Sequence, residues 1–173
     1  MKSQSSNTSP SSKASQGFSI LEMLVVLIIM AILATLFVVR TAGVSARARD
    51  VEREDDIGSI ARQLEDVYSN KKLSTPTYPD TVQITSNTAV FAGTEPEILK
   101  SPGMSTSSLI ASTNSIATTA GVGPSPTIDQ YVYQPLTSLG TLCTSGLVCV
   151  KYNLYYHTET DNVIWQKKGL HQQ

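Results

Sequence analysis

Between Phe18 and Val39 only Ser19, Glu22 and Thr35 interrupt an otherwise apolar run, and this run limits what the chain can become. As a helix its 22 residues rise about 33 Å at 1.5 Å each, enough to cross a hydrocarbon core of about 30 Å. The apolar side chains recur all round the helix and not along one stripe. The run therefore predicts a transmembrane span and not an amphipathic surface helix. A secretory signal would have a shorter apolar region of about 7–15 residues and a small-residue cut site behind it. Neither feature is present. Glu22 is the anomaly, because an acid at mid-span costs about 2.5–3.5 kcal/mol and is by default a functional residue. An ordinary single-pass anchor has no use for it.

Gly17-Phe18-Ser19-Ile20-Leu21-Glu22 stands behind a Ser-rich leader with Lys2 and Lys13 and no acidic residue. Such a leader is disordered in composition and is retained in the cytoplasm by the positive-inside rule. The arrangement resembles the processing signal of type IV pilins and pseudopilins. The resemblance implies that a prepilin peptidase/methyltransferase cuts between Gly17 and Phe18 and N-methylates Phe18. It makes Glu22 the assembly glutamate. The elementary chemistry agrees with that role. Positions 18 and 22 share a helix face, so carboxylate and new amine can meet within a copy or between copies. The helix dipole favours an anion in the first turns, and a buried ion pair is a good device for register.

The resemblance further implies a structural subunit of a type IV pilus, a homopolymer built through the N-terminal helix for adhesion, twitching motility or DNA uptake. Its implied partners are other copies of itself, related pilins, the membrane, and a pilus assembly platform with its ATPases. Before assembly it would be a single-pass cytoplasmic membrane protein with its N-terminus inside, and afterwards part of a surface pilus. The chain departs from many pilins in one respect: residues 18–39 contain no Pro or Gly, and the first glycine after the run is Gly43, a candidate hinge. That departure leans slightly toward a minor pilin or a pseudopilin of a type II secretion or competence system. A monomeric membrane-anchored extracellular binding protein is a third reading.

Five segments follow: a leader at 1–17, the span at 18–39, an amphipathic continuation at 40–70, a variable loop region at 71–127 and a C-terminal sheet at 128–173. In the continuation Val44, Val51, Ile57, Ile60, Ala61, Leu64, Val67 and Tyr68 recur at helical spacing. The charges between them, Arg47 to Asp66, read as a solvated face with i,i+4 pairs, or else as complementarity between subunits. The spacing of Ile57, Ile60, Leu64 and Tyr68 before Tyr78-Pro79 also resembles pilins. Alternating apolar residues predict strands at 81–85, 128–134, 147–157 and 163–167, with a polar turn at 158–162. Glu95–Leu99 reads as one turn of helix, and the rest of 86–127 as surface connection. The expected fold is α+β: a long N-terminal helix packed on a three- to four-stranded antiparallel sheet, like the pilin fold.

Cys143 and Cys149 are an isolated pair in a domain placed outside the membrane, where a disulfide is the simplest reading. Free thiols and a zinc site with His157 and His171 remain alternatives, although the spacing matches no structural zinc pattern. Glu159, Asp161 and Asn162 supply oxygen ligands, but too sparsely for a calcium loop. A net charge of −1 with 16% charged residues gives no basic stripe for nucleic acid, and DNA affinity stays open. No nucleophile elbow, phosphate loop or zinc-helix motif occurs, so neither catalysis, cofactor nor metal is expected.

Overall fold

The computed structural model describes residues 19–69, 76–86 and 90–171, without the side chains of 37–42. The chain divides into two units, Met1–Thr41 and Ala42–Gln173. The elements are α1 (Ile20–Ser69), α2 (Thr81–Ser86), β1 (Leu109–Ala111), β2 (Tyr131–Leu136), β3 (Lys151–His157) and β4 (Ile164–Lys168).

In the first unit Ser19 starts α1. Its hydroxyl accepts the Leu21 N–H at 3.3 Å and its carbonyl accepts the Met23 N–H at 3.2 Å, which satisfies two donors that a helix start leaves open. Thr35 returns its hydroxyl to the Ile32 carbonyl at 2.7 Å, so this polar side chain adds no unsatisfied group to the apolar run. Every large apolar side chain described between Ile20 and Leu36 is exposed. Among the described residues no helix is long and apolar enough to cross a membrane. Described side chains of the run end at Leu36, and Ile20–Leu36 rises about 25 Å of a helix that itself continues to Ser69. Phe18 and the side chains of 37–39, the ends of the expected span, lie outside the described residues.

In the second unit α1 buries a stripe made of Arg53, Ile57, Ile60, Ala61, Leu64 and Val67. The stripe begins later than the sequence pattern places it, because Val44 and Val51 are exposed. The β3–β4 turn reaches along the helix to Asp50, which accepts the N–H groups of Glu159 and Thr160, and to Arg49, which donates to Glu159. Among the described residues Gly43, Val44 and Ser45, before that point, are exposed.

The sheet order is β1-β2-β3-β4. Pairing is antiparallel for β2–β3 and β3–β4 but parallel for β1–β2, so the sheet is mixed and not all-antiparallel. The expected strand at 81–85 is instead α2. Asp80 Oδ1 accepts the N–H groups of Val82 and Gln83 at 2.8 Å, and Gln83 Oε1 accepts the Asp80 N–H at 2.9 Å, a reciprocal cap that favours a helix start over extension. The fourth strand comes from Leu109–Ala111, too short for alternation to reveal. The turn of helix expected at Glu95–Leu99 is a 3₁₀ turn at Pro96–Leu99.

Both faces of the sheet are covered. Tyr131, Tyr133, Tyr152, Leu154 and Tyr156 join the α1 stripe, α2 and Tyr78 in the main core. On the other face Val132 and Tyr155 pack with Val122, and Gln134 anchors the loop by donating to the carbonyls of Asn114 and Ile116. Residues 112–123 thus lie over this face of the sheet, with Ser112 and Val122 buried and 115–118 exposed as a surface connection. Their composition hides this, because the loop is held by side chain–backbone hydrogen bonds. Asn114 alone donates to the Gly121 carbonyl and accepts the Gly123 N–H.

Candidate functional site

Two places carry the expected chemistry: the head of α1 and the charged and bridged residues of the second unit. At the first, Gly17 and Phe18, the expected cut and methylation positions, lie outside the described residues. Glu22 is placed in the first turn of α1 and is exposed. Among the described residues it makes no hydrogen bond or ion pair. The helix start that Ser19 builds immediately precedes it, so the acid sits where the helix dipole favours a negative charge.

The second unit treats its charges differently, and the sequence pattern did not disclose it. Arg53 is 1% exposed. Its guanidinium donates to Asp50 Oδ1 at 2.8 Å and to the Ile128 carbonyl at 3.0 Å, with Glu159 Oε2 at 3.7 Å. Arg49 forks onto Glu159 with contacts of 2.9 and 2.5 Å. The hydrogen bond from Arg49 holds the Glu159 carboxyl below its ordinary range. Against burial, which pushes it up, the N–H donors of Glu159 and Thr160 hold Asp50 low. Farther along α1, Glu65 accepts the hydroxyls of Tyr78 at 2.8 Å and Tyr152 at 3.0 Å and the Leu170 N–H at 2.9 Å. Burial, reinforced by Glu65, drives both tyrosine hydroxyls far above their usual range. Several of the charges read as a solvated helix face are therefore pins from helix to sheet.

Cys143 and Cys149 form a disulfide with Cα atoms 5.7 Å apart, and both are buried in the main core. This removes the thiolates that a zinc reading requires. Around the bridge the backbone is stitched to the 77–81 segment. Tyr78 N–H donates to the Cys149 carbonyl at 2.8 Å and Thr81 N–H to the Cys143 carbonyl at 3.2 Å. The 158–162 segment is a hairpin turn with Asn162 at φ 56°, a left-handed position that Asn tolerates. Its Asp161 accepts the Thr158 hydroxyl, and Glu159 is engaged by Arg49. Among the described residues no group of three or more His, Cys, Asp or Glu side chains is arranged to hold a metal ion. His171 stacks on Tyr68 with ring centres 4.5 Å apart, a packing role.

Comparison with curated proteins and with solved structures finds no match to this chain. A family model does match: residues 12–38 fit the prokaryotic N-terminal methylation motif. The matched stretch contains Gly17, Phe18 and Glu22 together with the apolar run behind them. The chain carries the N-terminal signature of type IV pilins and pseudopilins.

Proposed function

We propose that the chain is a prepilin, inserted with its N-terminus inside, cut between Gly17 and Phe18, methylated at Phe18 and polymerised through α1. It is a structural subunit and a substrate of a prepilin peptidase. The observation that carries this reading is the methylation motif over residues 12–38. Two features of the chain support it. Thirteen large apolar side chains between Ile20 and Leu36 are exposed, a surface that requires lipid or other apolar helices around it. Glu22 has no partner among the described residues, which leaves it free for one supplied by processing or by another copy. We assign the subunit to a type IV pilus displayed at the cell surface, anchored in the membrane before assembly and handled there by an assembly platform and its ATPases. The lack of Pro or Gly in 18–39 favours the pseudopilin of a secretion or competence machine as the second reading.

Electron microscopy of sheared surface fibres, with mass spectrometry of their subunit, tests the assignment. Fibres of this chain beginning with methylated Phe18 are expected for the pilus. Processed protein without surface fibres would move the assignment to the pseudopilin. Mature protein that still carries Met1–Gly17 would exclude both.

A further inference from the structure

The seam between the second-unit part of α1 and β4 holds three hollows joined by shared residues. The first, about 490 Å³, lies among Val51, Glu54, Tyr156, Asp161 and Trp165. Glu54, Tyr156 and Trp165 also line the second, where Lys167 joins them. Lys167 continues into the third, beside Arg62, Lys168 and Leu170. The result is one groove with an apolar floor left open by the described residues: Val51 is 59% exposed, Trp165 48% and Leu170 73%. β4 is the edge strand of the sheet, so its outer side is open among the described residues.

The groove is polarised. Glu54 and Asp161 stand toward one end, and Arg62 and Lys167 toward the other, while Lys168 alternates with Ile164 and Gln166 onto the opposite face of β4. Arg47 and Glu65 offset these charges in part without reversing either sign. Glu54, Lys167 and Lys168 make no hydrogen bond or ion pair among the described residues, unlike Arg53, Asp50 and Glu159 nearby. An exposed apolar band with a Trp at its centre and unpaired opposite charges at its ends has the composition of an interface.

We propose that this groove receives a second copy of the chain, groove to groove about a twofold axis, with the two α1 segments antiparallel. A twofold axis through the centre sets the acidic end of each copy against the basic end of the other and buries the Val51–Trp165 band from both sides. Face-to-face packing with the helices parallel would oppose like charges instead. The pairing itself does not require that the chain form a filament. Where the filament reading holds, this pairing joins antiparallel neighbouring filaments side by side and does not lengthen either one.

The test uses full-length chain in detergent, an equal mixture of ¹⁴N- and ¹⁵N-labelled copies, and a zero-length carboxyl–amine coupling reagent. Expected are heavy–light peptides joining Glu54 or Asp161 to Lys167, and a closed dimer by light scattering. Glu54→Lys and Lys167→Glu, each at a position without partners, should each weaken the pair about tenfold, and the double variant should restore it. Seam links found only within one label, an open series of oligomers, or a pair indifferent to both charge changes would overturn the proposal. Fibres and the mature N-terminus report on the filament assignment separately, so the two failures are distinguishable.

Discussion

Residues 20–36 and residues 53–67 belong to the same helix and obey opposite rules. In the first region every described side chain is exposed, and the lone acid, Glu22, has no partner among the described residues. In the second a five-residue apolar stripe is buried, and the polar groups along it are engaged within the unit: Arg53 by Asp50 of the same helix and by the Ile128 carbonyl, Asp56 by Tyr131 of β2, Glu65 by Tyr78 and by Tyr152 of β3. The contrast shows where each region finds its stability. The second region is completed inside its own unit. The first is incomplete alone and has its apolar surface and its carboxylate available to something outside.

The largest effect should come from removing the one unpartnered acid of the first region. Glu22→Val makes the run more apolar, so membrane insertion persists or improves, while fibre yield from cells falls below detection. Shear-and-weigh fibre assays beside membrane fractionation check both halves. Wild-type fibre yield from the variant would show that Glu22 takes no part in assembly.

In the second region the corresponding perturbation acts on folding. Arg53→Ala leaves Asp50 and a buried carbonyl without their cation, a loss on the order of 3 kcal/mol. Arg47→Ala, two turns earlier and exposed, should change stability by less than about 0.5 kcal/mol. Urea denaturation of the two variants, followed by tryptophan emission from Trp165, measures the difference. Equal midpoints would mean that the helix-to-sheet pins contribute nothing. Next in size is the bridge: replacing both Cys143 and Cys149 by Ser should cost about 2 kcal/mol by loop entropy, since the ring closed is short. Assembly should be unaffected under conditions where the variant stays folded.

How much of this was legible in the residues follows from the range of the forces involved. The apolar run, the helical stripe from Ile57 to Val67 and strands β2, β3 and β4 rest on local periodicity, which sequence displays directly. Arg53 looked like any surface arginine, because what buries it, the Ile128 carbonyl and Ser101, comes from 75 and 48 residues away. The parallel β1 escaped for the same reason, since three residues cannot show alternation. α2 is a different miss. There the alternation of Thr81–Thr85 competes with the Asp80-Thr81-Val82-Gln83 cap, and the cap wins because it satisfies the first N–H groups of a helix. The cover at 112–123 could not be read from Ser, Thr and Gly content. The N-terminal methylation motif was legible because it is contiguous, and the matched family model spans the expected cut and methylation positions.

Asp56 gives the smallest effect and the finest discrimination between the two regions. Burial raises its pKa to about 6, with Glu52 and Asp55 adding repulsion, against the lowering effect of the Tyr131 hydroxyl that donates to it at 2.8 Å. Because its folded value lies above the unfolded one, the native state binds the proton more tightly. Stability therefore falls as pH rises through the window from about 4 to about 6. Asp56→Asn keeps an acceptor for Tyr131 without the charge. After discounting for solvent screening of a half-buried group, it should gain about 1 kcal/mol at pH 7 and flatten that slope. Denaturation midpoints at pH 4, 5, 6 and 7 check both expectations. A wild-type slope that survives the substitution would assign the titration to another group in the fold. Glu22 substitutions should leave the same curve unchanged, because that acid lies in the first unit and makes no hydrogen bond or ion pair with the second among the described residues.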